Sequence, residues 1–156
     1  MKSKVYIDST IPSYYYDIRE STKSFVEITN RWWKTEKKNY NLFISEATVA
    51  ELNNGNYPNK NKILKLINKI QILEFNREIE AIVQIYIKEF LMPKGNFGDA
   101  SHLAFASYYK LDYLLTWNCN HLANANKKKH IVFINTKLGL YIPEIITPME
   151  LFSESE

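Results

Sequence analysis

Three acidic residues, far apart in the chain, occupy positions from which carboxylates could act together. Asp8 closes the apolar run Val5-Tyr6-Ile7, Glu51 lies within Ser45 to Leu52, and Asp99 follows Gly98. Carboxylates gathered into one pocket repel, and at least one pKa rises. A hard divalent cation relieves that repulsion. Mg²⁺ or Mn²⁺ takes oxygen ligands and keeps several waters, so two or three carboxylates suffice to hold it. Such an ion activates water and neutralises charge developing on a phosphate, which is the chemistry of phosphodiester hydrolysis. Taken singly, each residue has a plainer use: Asp8 in an Asx-turn, Glu51 as a solvated helix residue, Asp99 as a helix N-cap.

Other chemistries lack their residues. There is no Gly-rich phosphate loop of the Walker or dinucleotide type. Asp8 is followed by Ser9 and Thr10, not by the second Asp of a haloacid-dehalogenase-type phosphatase. His102, His121 and His130 are too scattered for a zinc hydrolase, and His102, three residues after Asp99 on the same helix face, reads as a supporting or packing residue. The single cysteine, Cys119, has no base partner and excludes an intrachain disulfide and a Cys-rich zinc site.

The carboxylates need a frame that brings them together. Short apolar segments at 4–7, 41–44, 71–75, 113–116 and 131–134 read as strands, with 144–147 as a final extended piece. Between them, helical spacing predicts a helix over 24–38, capped by Ser24 or Thr22, and a helix capped by Ser45. A further helix opens at Pro58 with Ile63, Leu64, Ile67 and Ile70 inward. Another is capped by Asn76 and carries Ile79, Ile82, Val83, Tyr86 and Phe90. Gly95 to Gly98 reads as loop, and Asp99 opens a helix bearing Leu103, Ala104, Ala106 and Tyr109. The stretch 118–126 reads as loop and short helix, and Pro148 opens a last turn to Phe152. Strands alternating with helices predict an α/β fold, a parallel sheet covered on both faces, in one domain over 1–156. In such sheets ligands collect at the carboxyl ends of the strands, where Asp8, Glu51, Asp99 and Asn118 all fall.

The 156 residues are 46% hydrophobic and 24% charged with a net charge of +3, which suits a globular protein and does not alone indicate a nucleic-acid partner. Lysines cluster at Lys34, Lys37 and Lys38 and again at Lys127, Lys128 and Lys129 beside His130. Either run serves as a solvated face or as a grip on a phosphate backbone. The 14% of aromatic residues are read chiefly as core. No secretory signal or membrane span is legible, which predicts a cytoplasmic protein with no membrane partner.

Together these segments resemble the PIN-domain nucleases. Val5-Tyr6-Ile7-Asp8-Ser9-Thr10 looks like that family's opening strand and first acid. Ser45-Glu46-Ala47-Thr48-Val49-Ala50-Glu51-Leu52 looks like its second motif, and Gly98-Asp99-Ala100-Ser101-His102-Leu103-Ala104 like its third. Leu114-Leu115-Thr116-Trp117-Asn118 looks like its fourth, and Asn120-His121-Leu122-Ala123-Asn124 is similar to one bacterial branch, the VapC-like toxins of type II toxin–antitoxin systems. The similarity spans about residues 4 to 152.

The resemblance implies a Rossmann-like PIN domain with a central parallel sheet of about five strands flanked by helices. It implies a Mg²⁺- or Mn²⁺-dependent endoribonuclease acting on RNA, structured RNA such as tRNA included. It also implies homodimers and a cognate antitoxin that blocks the acidic pocket. Asp8, Glu51, Asp99 and Asn118 would be the catalytic set, with Asp8 and Asp99 on the metal and Glu51 orienting water or completing the shell. Thr10, Thr116 and Asn118 would hold waters or a substrate phosphate, and Lys127, Lys128 and Lys129 the RNA backbone. The chain departs from the pattern at Asn118, where many members carry Asp, and at Gly98, where an acid often precedes Asp99. Asn118 brings a carbonyl oxygen but no charge, so one metal at most is expected. The alternative is a catalytically degenerate RNA-binding module of the same fold. A phosphatase or receiver-like domain would need an acid closing the third strand, which here runs out in Leu73-Glu74-Phe75.

Overall fold

The computed structural model describes residues 1–89, 91–93 and 95–154. Five parallel strands form one sheet: β1 (Ser3–Ile7), β2 (Tyr40–Ser45), β3 (Gln71–Leu73), β4 (Tyr113–Leu115) and β5 (Glu144–Ile146). Their spatial order is β3-β2-β1-β4-β5. The helices are α1 (Thr10–Tyr15), α2 (Lys23–Thr35), α3 (Glu46–Asn53), α4 (Lys60–Leu66), α5 (Arg77–Lys88), α6 (Phe97–Tyr108) and α7 (Ala125–Leu138).

The strand residues alternate between two cores, as the period of two requires. Tyr6, Leu114 and Ile145 enter the core that carries α5, α6 and α7 residues. Val5, Ile7, Ile44, Leu115 and Ile146 enter the opposite one, built with Ile11, Trp32, Trp33 and Ile63. In α6 every residue from Ala100 to Ser107 is buried. A helix buried on every side belongs inside the molecule, and its polar members Ser101, His102 and Ser107 are buried with the rest.

The predicted caps of two helices are present. The Ser45 hydroxyl accepts from the amides of Ala47 and Thr48, and Asn76 Oδ1 accepts from Ile79 N at 2.8 Å. Thr22 precedes α2 without a side-chain capping bond. The expected helix residue Phe90 lies outside the described residues. One expectation fails: 131–134 is not a strand but the middle of α7. Ile131 and Ile134, three apart, are buried, while Val132 and Phe133 between them are 47% and 65% exposed. Asn124 caps this helix through Lys127 N, and Gly139, with φ +69°, ends it in the left-handed conformation that suits glycine. The fifth strand is instead the extended piece at 144–146. The sequence reading also passed over α1, taking 9–12 as a turn, and began α6 two residues late.

The strand order reverses direction between β1 and β4, each paired to the other in register from Val5↔Tyr113 to Ile7↔Leu115. Open α/β sheets bind ligands at such a switch point, beyond the carboxyl ends of the strands.

Candidate active site

Asp8 leaves β1 directly at this switch point and is 1% exposed. Its Oδ1 accepts from Thr10 N at 3.0 Å, the expected Asx-turn, and from Thr10 Oγ1 at 2.5 Å. Its Oδ2 accepts a short bond from the Thr116 hydroxyl just past β4. Thr10 Oγ1 in turn accepts from Trp117 N at 2.9 Å, and Thr116 Oγ1 from Asn118 N at 2.9 Å. The ends of β1 and β4 are thus tied together by two hydroxyls around one carboxylate. Burial pushes the pKa of Asp8 up, and the His102 charge and the hydroxyl bonds only partly offset it.

Glu51 reaches the same region from the last turns of α3. Its Oε1 lies 2.5 Å from His102 Nε2, and its Oε2 accepts from Ser9 Oγ at 3.2 Å. Its side chain is 43% exposed, whereas His102 is 1% exposed. Gly98 explains how Glu51 fits: a Cβ there would stand 3.1 Å from Glu51 Cδ and Oε1. Burial would raise the pKa of Glu51, but the His102 bond and charge outweigh it and hold the carboxyl below its usual value.

His102 is the common neighbour of all three acids. Burial alone would lower its pKa; the Glu51 bond, then the charges of Glu51, Asp8 and Asp99, raise it instead. Its Nδ1 lies 2.6 Å from the Tyr6 hydroxyl, which is also 2.6 Å from Ser45 Oγ and 3.2 Å from Thr48 Oγ1. With both ring nitrogens protonated, Nδ1–H donates to Tyr6 and Tyr6 passes its proton toward Ser45. Among the described residues no buried side-chain polar atom lacks a partner, so the relay is closed. The sequence reading missed Tyr6. Its signal was a phenol inside an otherwise aliphatic strand, since a buried hydroxyl must find a partner.

Asp99 is in the first turn of α6 but is not its cap. Asn96 precedes the helix without a capping bond and instead donates from Nδ2 to Asp99 Oδ2 at 3.0 Å. Burial raises the pKa of Asp99, opposed by His102, the Asn118 side chain and His121. The neutral Asn118 side chain is near this acid and helps to lower its pKa. Its Oδ1 is occupied by the amides of Asn120 (3.2 Å) and His121 (3.0 Å), so the carbonyl expected to face a metal is turned to the backbone.

The predicted residues Asp8, Thr10, Glu51, Asp99, Thr116 and Asn118 therefore converge, linked by hydrogen bonds or by their shared neighbour His102. Lys127, Lys128 and Lys129 lie near the start of α7, with no bond to the acids. Lys127 is committed elsewhere, because its Nζ donates to the Leu91 carbonyl. The other lysine cluster is far from the acids. Lys37 and Lys38 line a broad cleft of about 910 Å³ where β2 and β3 begin, together with Lys2, Lys65 and Lys69. No acidic side chain lines that cleft, so it offers charge but no acid or base.

The donor set suits a hard cation at two positions. Glu51 is already neutralised by His102, whereas Asp8, buried, and Asp99, half-buried, are carboxylates with raised pKa values and only oxygen to offer. Among the described residues no group of three or more His, Cys, Asp or Glu side chains is placed to share an ion. Two carboxylates completed by waters is the arrangement that Mg²⁺ accepts.

No family model matches the sequence, and no characterised protein matches it in sequence. Solved structures do match in fold. VapBC2 from Rickettsia felis, bound to a DNA fragment from its promoter, superposes with a TM-score of 0.58 at 14% identity, covering 92% of this chain and 98% of that one. VapBC-1 from nontypeable Haemophilus influenzae gives 0.56 at 19% identity, covering 94% and 98%. VapC20 from Mycobacterium tuberculosis, a toxin that cleaves the sarcin–ricin loop, gives 0.56 at 10% identity, covering 70% and 86%. Likeness at these identities establishes the fold alone: a parallel five-stranded α/β domain like those of these VapC and VapBC structures.

Proposed function

We propose that this chain, folded like the VapC toxins, is a metal-dependent endoribonuclease and the toxin of a toxin–antitoxin pair. The observation that carries this reading is the placement of Asp8, Glu51 and Asp99 around the buried His102 at the topological switch point. A cluster that costs stability through burial and repulsion is retained where it performs chemistry.

Asp8 and Asp99 would hold a single Mg²⁺ or Mn²⁺, which when bound supplies neutralisation of charge building on the scissile phosphate. Thr10 and Thr116 fix the Asp8 carboxylate through hydroxyl donors, so that its direction is set before substrate arrives. Glu51 is held ionised by His102 and half-exposed. It is the group positioned to orient an incoming water and accept its proton. Asn118 stands beside Asp99 as a neutral side chain, which limits the site to one ion. The hydroxyls of Thr10 and Thr116 are already engaged, so they act through Asp8 rather than as direct phosphate ligands. Lys128 and Lys129 would meet the RNA backbone, tRNA being one candidate substrate.

The neighbours solved as VapBC pairs support a cognate antitoxin for this chain, which would cover the acidic site. A homodimer and a cytoplasmic setting belong to the same reading. No helix among the described residues is long and apolar enough to cross a membrane.

The test is cleavage of total RNA and tRNA with Mg²⁺, Mn²⁺ or EDTA, comparing the unmodified protein with Asp8→Asn and Asp99→Asn. Metal-dependent cuts lost in both variants support the reading. RNA binding that survives EDTA, with no cleavage in any metal, replaces it with the degenerate binding module.

A further inference from the structure

Beside the Asp8 carboxylate lies a cleft of about 390 Å³ whose aromatic wall has no part in the proposed reaction. The rings of Tyr14, Phe25 and Trp117 line it together with Thr10, Asn118, Cys119 and Asn120. The three rings form one cluster. Phe25 and Trp117 centroids are 4.8 Å apart at 63°, Tyr14 and Phe25 are 5.9 Å apart, and Tyr14 and Trp117 are 6.3 Å apart at 84°.

The wall is rigid and coupled to the site. Trp117 donates from Nε1 to Thr29 Oγ1 at 2.8 Å, and its backbone amide bonds to the Thr10 hydroxyl that holds Asp8. Thr29 returns a hydroxyl bond of 2.6 Å to the Phe25 carbonyl, one turn earlier in α2. Yet Phe25 itself remains 39% exposed. An aromatic ring left open at the mouth of an otherwise packed cluster has surface to offer. The side chain of Asn120 stands at the same cleft and can pair with polar edges.

We propose that this cleft is a base-stacking subsite: it takes one unpaired nucleobase of an RNA strand next to the phosphate held at Asp8 and Asp99. This rests on the nuclease reading and deepens it. Every base has a π-face, and ring stacking with polar pairing at the edge is how proteins grip single strands. A base inside a duplex is stacked on its neighbours and cannot enter, so the subsite selects loops and single-stranded stretches.

The test measures binding of fluorescent octamers of riboadenosine and ribouridine by anisotropy, with Ca²⁺ as the divalent ion. The same octamers carrying central abasic positions, and an octamer duplex, serve as controls. The proteins are the unmodified chain, Phe25→Leu, Phe25→Ala and Phe25→Trp. Stacking of one base corresponds to about a 5- to 150-fold loss of affinity when its ring is removed. A loss in that range is expected for Phe25→Leu and Phe25→Ala on the intact octamers, with affinity retained in Phe25→Trp. The abasic octamers and the duplex should bind all four proteins alike. Equal affinity of Phe25→Leu and the unmodified chain, equal losses on intact and abasic octamers, or no octamer binding at all overturns the proposal. An octamer-blind cleft is then a seat for an apolar peptide. Phe25 is partly exposed and bonds to none of the acids, so its variants should fold; Phe25→Leu and Phe25→Trp, which keep apolar bulk against Trp117 and Tyr14, should melt within a few degrees of the unmodified protein. Failure of the nuclease reading is separate: it appears as absence of metal-dependent cleavage, whatever the Phe25 variants do to binding.

Discussion

Replacing Gly98 with alanine places one methyl group against the Glu51 carboxylate. The new Cβ would meet Glu51 Cδ and Oε1 at 3.1 Å and Oε2 at 3.2 Å. Comfortable carbon contacts begin near 3.5 Å, so Glu51 must retreat by about 0.4 Å. It can do so, because its side chain is 43% exposed and its Ser9 bond is long, at 3.2 Å. Its 2.5 Å contact with His102 would lengthen toward an ordinary hydrogen-bond distance without breaking. Gly98 sits in the first turn of α6, where alanine gains up to about 0.5–1 kcal/mol in helix propensity. Stability should therefore stay level or rise slightly. Activity should not. A misplacement of about 1 Å costs about 100-fold, so a shift of roughly half that should cost about 10-fold in kcat. Three measurements decide it: the RNA cleavage rate, the melting temperature, and the nitrogen shift of the His102 ring. Wild-type cleavage with an unmoved His102 signal would refute the claim that Gly98 sets the position of Glu51. A large fall in melting temperature would refute the claim that Glu51 yields outward.

Tyr6→Phe removes the hydroxyl that meets His102, Ser45 and Thr48 and leaves a buried ring nitrogen unpartnered. The cost should be about 1–3 kcal/mol, seen as a drop of roughly 3–10 °C in melting temperature; an unchanged melting point sinks the relay. Mn²⁺ at about 100 times its Kd should stabilise the protein by about 2.7 kcal/mol, and Asp99→Asn should abolish the shift. Asp8→Asn should melt at or above the unmodified metal-free protein, because it removes a buried charge while Thr10 and Thr116 can still pair with the amide; a clear destabilisation would count against that. The pH profile has a definite sign. His102 has a raised pKa, so its contribution is full below 6.5 and is lost as pH rises through its folded value. Glu51 has a lowered pKa, so its contribution is full above 4.5 and is lost as pH falls. Asp8 and Asp99, both raised, add a penalty as pH rises. Thermal melting without metal should peak between these limits and decline on the alkaline side, and a changed slope of that limb in His102→Gln is the check; an identical limb would refute the His102 contribution.

Much of this molecule was legible in its order of residues. The five-stranded α/β frame, the caps Ser45 and Asn76, and the gathering of Asp8, Glu51, Asp99 and Asn118 at strand ends follow from local rules: periodicity, turn chemistry and the place of ligands in parallel sheets. The failures were also physical. Ile131-Val132-Phe133-Ile134 has the composition of a buried strand. Only packing decides that Ile131 and Ile134 face inward from a helix while their neighbours face out.

The site divides in the same way. Residue types announced acids, but the sequence could not tell which acid would be neutralised from within. That depends on His102 being buried beside Glu51 through Gly98 and on Tyr6 reaching it from β1, contacts spanning 51 and 96 residues of chain. Likewise Asn118 read as a carbonyl ligand until its oxygen was found on the backbone of its own turn. The aromatic cleft unites residues 14, 25 and 117, which share no motif. The sequence by itself determined the elements and the chemical inventory, because both follow from neighbours along the chain. The tertiary structure alone decided charge states, free lone pairs and open ring faces, because these depend on what lies across space.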